Sequence, residues 1–143
     1  SRPHVAFLGR IPGTGRYSDM TRHPENTPLP GVIAFRPEGA LLYVNAEAVL
    51  EAVLDRLAMQ PPGSVRLVVC DLSAAPRLDL AAVGILRKLH AALTEQGIVL
   101  AVVGPHGDVR DLLRRDGFAD LVGGITRDVT LETLLAEARL AHG

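Results

Sequence analysis

Three side chains at the junction of two apolar runs could do chemistry: Asp71, Ser73 and Asp79, in CDLSAAPRLDLAAVGIL, residues 70–86. A hydroxyl between two carboxylates raises the question of an activated nucleophile or a switch. Ser73 lacks the G-x-S-x-G elbow that exposes a serine nucleophile, and no histidine lies near it in sequence to act as base. A strand-end hydroxyl satisfying loop amides is the simpler role. Asp71 and Asp79 read equally as an acid pair or as a turn residue and a helix N-cap, with Asp79 well sited to cap LAAVGILRKL. A carboxylate resident at a helix start already uses the free amides, and it repels a second anion there.

Two further patterns could bind ligands. GTGRYS, residues 13–18, follows a strand-like run, but Ser18 stands where the dinucleotide fingerprint needs its last glycine, and a proline-rich stretch replaces the required helix. The Walker pattern is absent. The five histidines, at 4, 23, 90, 106 and 142, include no pair at i and i+4 and no H-E-x-x-H, so no metal site is expected. His90, on the flank of a helical pattern, reads as a partly exposed structural residue.

A chain of 143 residues is one domain by size, and 48% hydrophobic residues supply a core without a disulfide or metal staple. Fifteen Lys and Arg against sixteen Asp and Glu give a net charge of -1, without the basic footprint of a nucleic-acid binder. Cys70 is the single cysteine, which points to a reducing compartment. No stretch approaches the roughly 18 uncharged apolar residues that span a bilayer, and the first residues lack a secretory signal, so the chain is expected to be soluble.

The elements that must position these residues follow from periodicity. Residues 4–11 read as a first strand, closed by Pro12 and Gly13, and residues 13–31 as a long irregular connection, functional or mobile. Residues 32–36 and 41–45 flank Pro37, Glu38 and Gly39 and read as an antiparallel hairpin. A helix over 46–60, capped by Asn45, carries Ala46, Leu50, Val53, Leu54 and Leu57 on one stripe. VRLVVC (65–70) and IVLAVVG (98–104) read as central parallel strands, joined by a helix within 78–97 that Gly97 stops. A helix over 108–117, a weak edge strand over 118–125 and a last amphipathic helix over 130–141 complete an α/β domain with a mixed β-sheet flanked by α-helices.

The stretch VVCDLSAAPRLDLAAVGIL resembles the signature of STAS domains, shared by sulfate permeases and anti-sigma-factor antagonists: a strand ending in D-x-S, then D-S/T-S/T-G opening a helix. Asp71, Ser73 and Asp79 match. The upstream half resembles the sulfate permease (SulP) branch, with blocks similar to H-x-x-x-L-G-R-x-P-G-T (His4 to Thr14), Y-x-D (Tyr17 to Asp19), P-G-I/V-x-x-F/Y-R (Pro30 to Arg36) and F/Y-x-N-A-E (Tyr43 to Glu47). In antagonists the phosphorylated Ser or Thr lies two residues after the second aspartate; here Ala81 occupies that phosphosite, followed by Ala82 where the pattern has glycine. The scaffold keeps its acids, which are expected to shape the loop, and lacks the phosphorylatable hydroxyl.

The resemblance implies a single STAS domain over 1–143, the C-terminal cytoplasmic part of a larger secondary anion transporter for sulfate, bicarbonate or related anions, tethered at the inner face of the plasma membrane. It implies regulation or assembly through protein contacts, with no catalytic residues and no cofactor. Partners would be the transmembrane domain of the same transporter, a cytosolic protein or a second copy. The expected contact surfaces are the 13–30 loop, the 71–79 loop and the helix it opens, with Asp71, Ser73, Arg77, Asp79, Arg87 and Lys88 as candidates. The alternatives are a free-standing partner-switching regulator and a nucleotide-binding STAS module, the latter with no motif behind it.

Overall fold

The computed structural model describes residues 4–142; Ser1, at which the sequence begins, lies outside them. Three apolar strands, Val32–Pro37 (β3), Leu67–Asp71 (β4) and Val99–Val103 (β5), pair in parallel, with Phe35 opposite Cys70 and Cys70 opposite Val102. Val5–Arg10 (β1) joins β3 antiparallel, Phe7 facing Phe35, and the short Tyr17–Asp19 (β2) joins the other edge of β1. The strand order β2-β1-β3-β4-β5 makes the sheet mixed, as expected.

Alternation along the strands sends side chains to two cores. Ile33, Phe35, Val68, Cys70, Leu100 and Val102 face a layer of four helices: Tyr43–Ala58 (α1), Leu80–Glu95 (α2), Gly107–Asp116 (α3) and the single turn Phe118–Leu121 (α4). Ala6, Leu8, Ala34, Val69 and Val103 face the other way, onto Leu131 and Leu135 of Leu131–His142 (α5).

Five expectations need correction. Residues 41–45 form no strand: Leu41 makes one parallel bridge, to Leu78, and the helix starts at Tyr43. Asn45 acts from inside that helix, its Oδ1 accepting the Leu42 N–H at 2.8 Å and its Nδ2 donating to the Ala40 carbonyl at 2.9 Å, which is the return half of a capping box. Residues 118–125 supply no edge strand, because Gly117, at φ 90°, ends α3 in the left-handed region and the turn behind it buries Phe118 and Ala119. Fourth, β4 is central but β5 is an edge strand. Its apolar run reflects two covered faces rather than two paired edges, and Val99 remains 61% exposed.

The fifth correction concerns residues 13–31, which are not wholly irregular: they hold β2 and are hydrogen-bonded to β1. Arg10 and Thr27 exchange backbone hydrogen bonds, both 2.8 Å, and β2 pairs along β1. Asn26 is buried, and its Nδ2 donates to the Ser18 carbonyl at 3.0 Å and Ser18 Oγ at 2.7 Å. One amide therefore holds the return path against β2. Asn26→Ala should lower stability by about 1 to 3 kcal/mol by leaving a buried acceptor unpaired, read as a shift of the urea midpoint; an unchanged midpoint would show that the loop is held by other means.

Candidate functional site

The motif residues gather beyond the carboxyl ends of the parallel strands. Asp71 is the last residue of β4, and its Oδ1 accepts the Ser73 N–H at 2.9 Å, an Asx turn that starts the loop. The Leu72 N–H donates to the Val103 carbonyl at 2.9 Å, while Leu72 and Ala75 are fully buried. The loop is thereby pinned to β5. It is a carboxylate, not the expected serine hydroxyl, that satisfies the loop amide.

His106, the residue just before α3, comes close to Ser73 from 33 residues away, with Nε2 2.9 Å from the Ser73 carbonyl oxygen. With a carbonyl as acceptor, Nε2 carries the proton, so this nitrogen is spent on the backbone and not on the hydroxyl. No sequence spacing announces that approach. The geometry pairs Ser73 with no base.

Asp79 works apart from Asp71. Its Oδ1 accepts the Ala82 N–H at 2.8 Å, capping α2 as expected, and its Oδ2 accepts the Tyr43 N–H at 3.0 Å, at the start of α1. One carboxylate thus caps two helices. The Leu41 N–H to Arg77 carbonyl bond, 3.0 Å, and the Leu41–Leu78 bridge hold the two helix starts side by side. These amide donors, Tyr43 first and then Ala82, hold the Asp79 carboxyl below the ordinary aspartate value of 3.8.

At this junction Arg77 and Ala81 are exposed, Ala81 as the second residue of α2, and Lys88 is exposed about two turns further along that helix. Arg87 is committed internally: Nε donates to Asp116 Oδ1 at 3.1 Å and Nη2 to the Asp116 carbonyl at 2.9 Å, tying α2 to the end of α3. Sequence reasoning missed the neighbours Tyr43, Val44 and Leu80, which are 72%, 70% and 68% exposed. The available signal was three large apolar residues in the first turns of two helices, off the buried stripes.

On the opposite face of the sheet, Asp71 and Ser73 line a cleft of about 330 Å3 with Arg36, Arg16, Gly104 and Glu132. Cys70 lies buried behind Asp71, and burial first, then the Asp71 charge, pushes its thiol well up, so thiolate chemistry has no support. Among the described residues no three of His, Cys, Asp and Glu come together as a metal site; the His142 side chain lies outside them.

Asp79→Ala should lower the thermal midpoint by uncapping two helices at once, and Asp79→Asn, which keeps one acceptor oxygen, should lose less. Because the folded-state pKa is depressed, the stability that ionised Asp79 contributes is present above the unfolded value near 3.8 and is lost as pH falls through the lower folded value. The difference between the parent chain and Asp79→Asn should accordingly shrink below that pH; a constant difference from pH 7 to pH 2 would show that the charge plays no part.

The sequence matches the family model described as STAS domain over residues 23–137. It is 31% identical over 131 residues to Low affinity sulfate transporter 3 of Stylosanthes hamata, covering 85% of this chain and 20% of the relative. The chain therefore spans about a fifth of the length of that relative. Among solved structures, the murine anion transporter Solute Carrier 26 family member A9 aligns with a TM-score of 0.77 at 18% identity, over 95% of this chain and 22% of that one. The SulP transporter STAS domain of Vibrio cholerae aligns with a TM-score of 0.63 at 19% identity, over 86% of this chain and 92% of that one. The family model spans most of the chain and the mixed five-strand sheet agrees with the aligned structures, so the chain belongs to the STAS domain family, and it is similar to the corresponding part of sulfate transporters.

Proposed function

We propose that this domain is the cytoplasmic regulatory and docking unit of a SulP-type secondary anion transporter, acting through protein contacts rather than catalysis. The transporter's membrane part would precede it in the same polypeptide and would carry the anion, sulfate or a related one. No helix among the described residues is long and apolar enough to cross a membrane. The relatives' much greater length supports attachment to a part that does.

The observation that carries this reading is the apolar rim of Tyr43, Val44 and Leu80 around the Asp79 junction. Three large side chains exposed together on a rigid pair of helix ends offer the kind of surface that docks on protein. Its occupant is the membrane domain of the same transporter. This reading is favoured over phosphorylation-driven partner switching because Ala81 brings no hydroxyl to the junction.

In the full-length protein, the Tyr43→Ser and Leu80→Ser pair should lower anion uptake about tenfold, the factor that loss of about 1.4 kcal/mol of contact produces. The thermal midpoint of the 143-residue chain should stay unchanged, since both side chains are exposed. Charge reversal at Arg77 or Lys88 should act in the same direction more weakly, whereas Arg87 is a poor probe because its reversal breaks the tie to Asp116. Unchanged uptake and unchanged dimerisation in all of these variants would overturn the proposal, as would an antibody to this domain that finds only a soluble band of this chain's own mass in fractionated source cells.

A further inference from the structure

The Gly-rich turn that fits no nucleotide fingerprint, and the Asp71 side of the family motif, end at the same place. The floor of the cleft is the α5 side of the sheet at the carboxyl ends of β3, β4 and β5, the edge where open α/β sheets receive ligands. The register that sets Phe35 opposite Cys70 makes Arg36 the neighbour of Asp71, and Asp71 pairs with Val103. One wall is the Gly15–Tyr17 turn, and the other is Thr130 to Glu132.

Three observations mark this cleft out. First, Arg36 lines it with a side chain that is 25% exposed, its Nη2 held by Glu38 Oε1 at 3.0 Å, which leaves the rest of the guanidinium fork to meet an anion. Second, glycines stand on both sides: Gly15 faces the exposed end of the Glu132 side chain, and Gly104, at φ 71°, takes a backbone conformation that favours glycine and lies against Asp71 Oδ1. Third, the volume of about 330 Å3 lies at the small end of ligand pockets.

The lining charges specify the chemistry. Arg16 and Arg36 are matched by Asp71 and Glu132. A bare oxyanion would gain the guanidinium pair and be repelled by the carboxylates, whereas a neutral polyol would donate to the carboxylates but offer the guanidinium groups only uncharged acceptors. A molecule with an oxyanion at one end and hydroxyl donors at the other satisfies both. We propose that the cleft between the Gly15–Tyr17 turn and the start of α5 binds a small phosphorylated polyol, its phosphate on Arg16 and Arg36 and its hydroxyls on Asp71 and Glu132. This site lies on the opposite face of the sheet from the apolar rim and stands whether or not the docking proposal does.

The test uses the isotope-labelled 143-residue chain, a domain of the size that stands almost alone in the Vibrio cholerae structure. Titration with ribose 5-phosphate should give saturable NMR shifts at the amides of Gly15, Arg16, Ser73 and Gly104, with a Kd at least about tenfold below that for inorganic phosphate or for ribose alone. Arg36→Gln should weaken binding about tenfold or more, and Arg16→Ala, an exposed change that does not threaten the fold, severalfold. Shifts that do not saturate, shifts elsewhere, inorganic phosphate binding as tightly as the sugar phosphate, or both variants binding like the parent would each overturn the proposal.

Discussion

The two oxygens of Asp79 are divided between two helices, and most of the first core layer depends on that division. α1 and α2 lie side by side on one face of the sheet, where Val49 and Val53 of one share a core with Leu86 and Leu89 of the other. Helices packed this way can slide along each other unless their ends are fixed. Here the amino ends are fixed to a single side chain, with the Leu41–Leu78 bridge alongside. A carboxylate accepting from main-chain amides is a stronger restraint than a neutral cap, because the bonds are charge-assisted and align with the helix dipoles. The junction therefore acts as a common origin from which both helices run down the sheet.

Much of this was legible in residue order, and the failures have specific physical causes. The 80–95 helix, its Asp79 cap and its Gly97 stop could be read because cap, stripe and stop agree locally. LLYVN was misread because aromatic and β-branched residues favour strands in isolation. What overrides that preference is the burial of Leu41 beneath the loop and the reach of Asn45 back to Leu42. Strand β2 could not be read: three residues carry too little periodicity, and they exist as a strand only because β1 offers an open edge and Asn26 clamps the return. The proximity of His106 to Ser73 depends on how α3 starts after β5, which no local pattern encodes.

The two faces of the sheet are covered unequally. Four helices close one face, while on the other α5 is the covering helix, meeting the sheet through Leu131 and Leu135. The uncovered end of that second face is where Arg36 and Asp71 stand beside each other, in register on adjacent strands, without forming a mutual ion pair. Apolar side chains at these two positions would have extended the second core to the edge. Polar ones leave a cleft instead, with Gly15 and Gly104 among its lining residues. The same loop thus serves two surfaces: Asp79 faces the helix junction and Asp71 the cleft, with the buried Leu72 and Ala75 as the rigid span between them.

The position of Ala81 has a consequence for the history of such domains. Its methyl group is exposed on the first turn of α2 and fills no cavity, and the Asp79 cap is made to the next residue's amide. Packing therefore exerts no pressure for or against a hydroxyl there. A lineage could lose or regain the hydroxyl itself by one substitution without rebuilding the core, so stability would neither preserve it nor block its return. Selection at this site would act on what the surface meets, and the domain could pass between forms with and without the hydroxyl with its architecture intact.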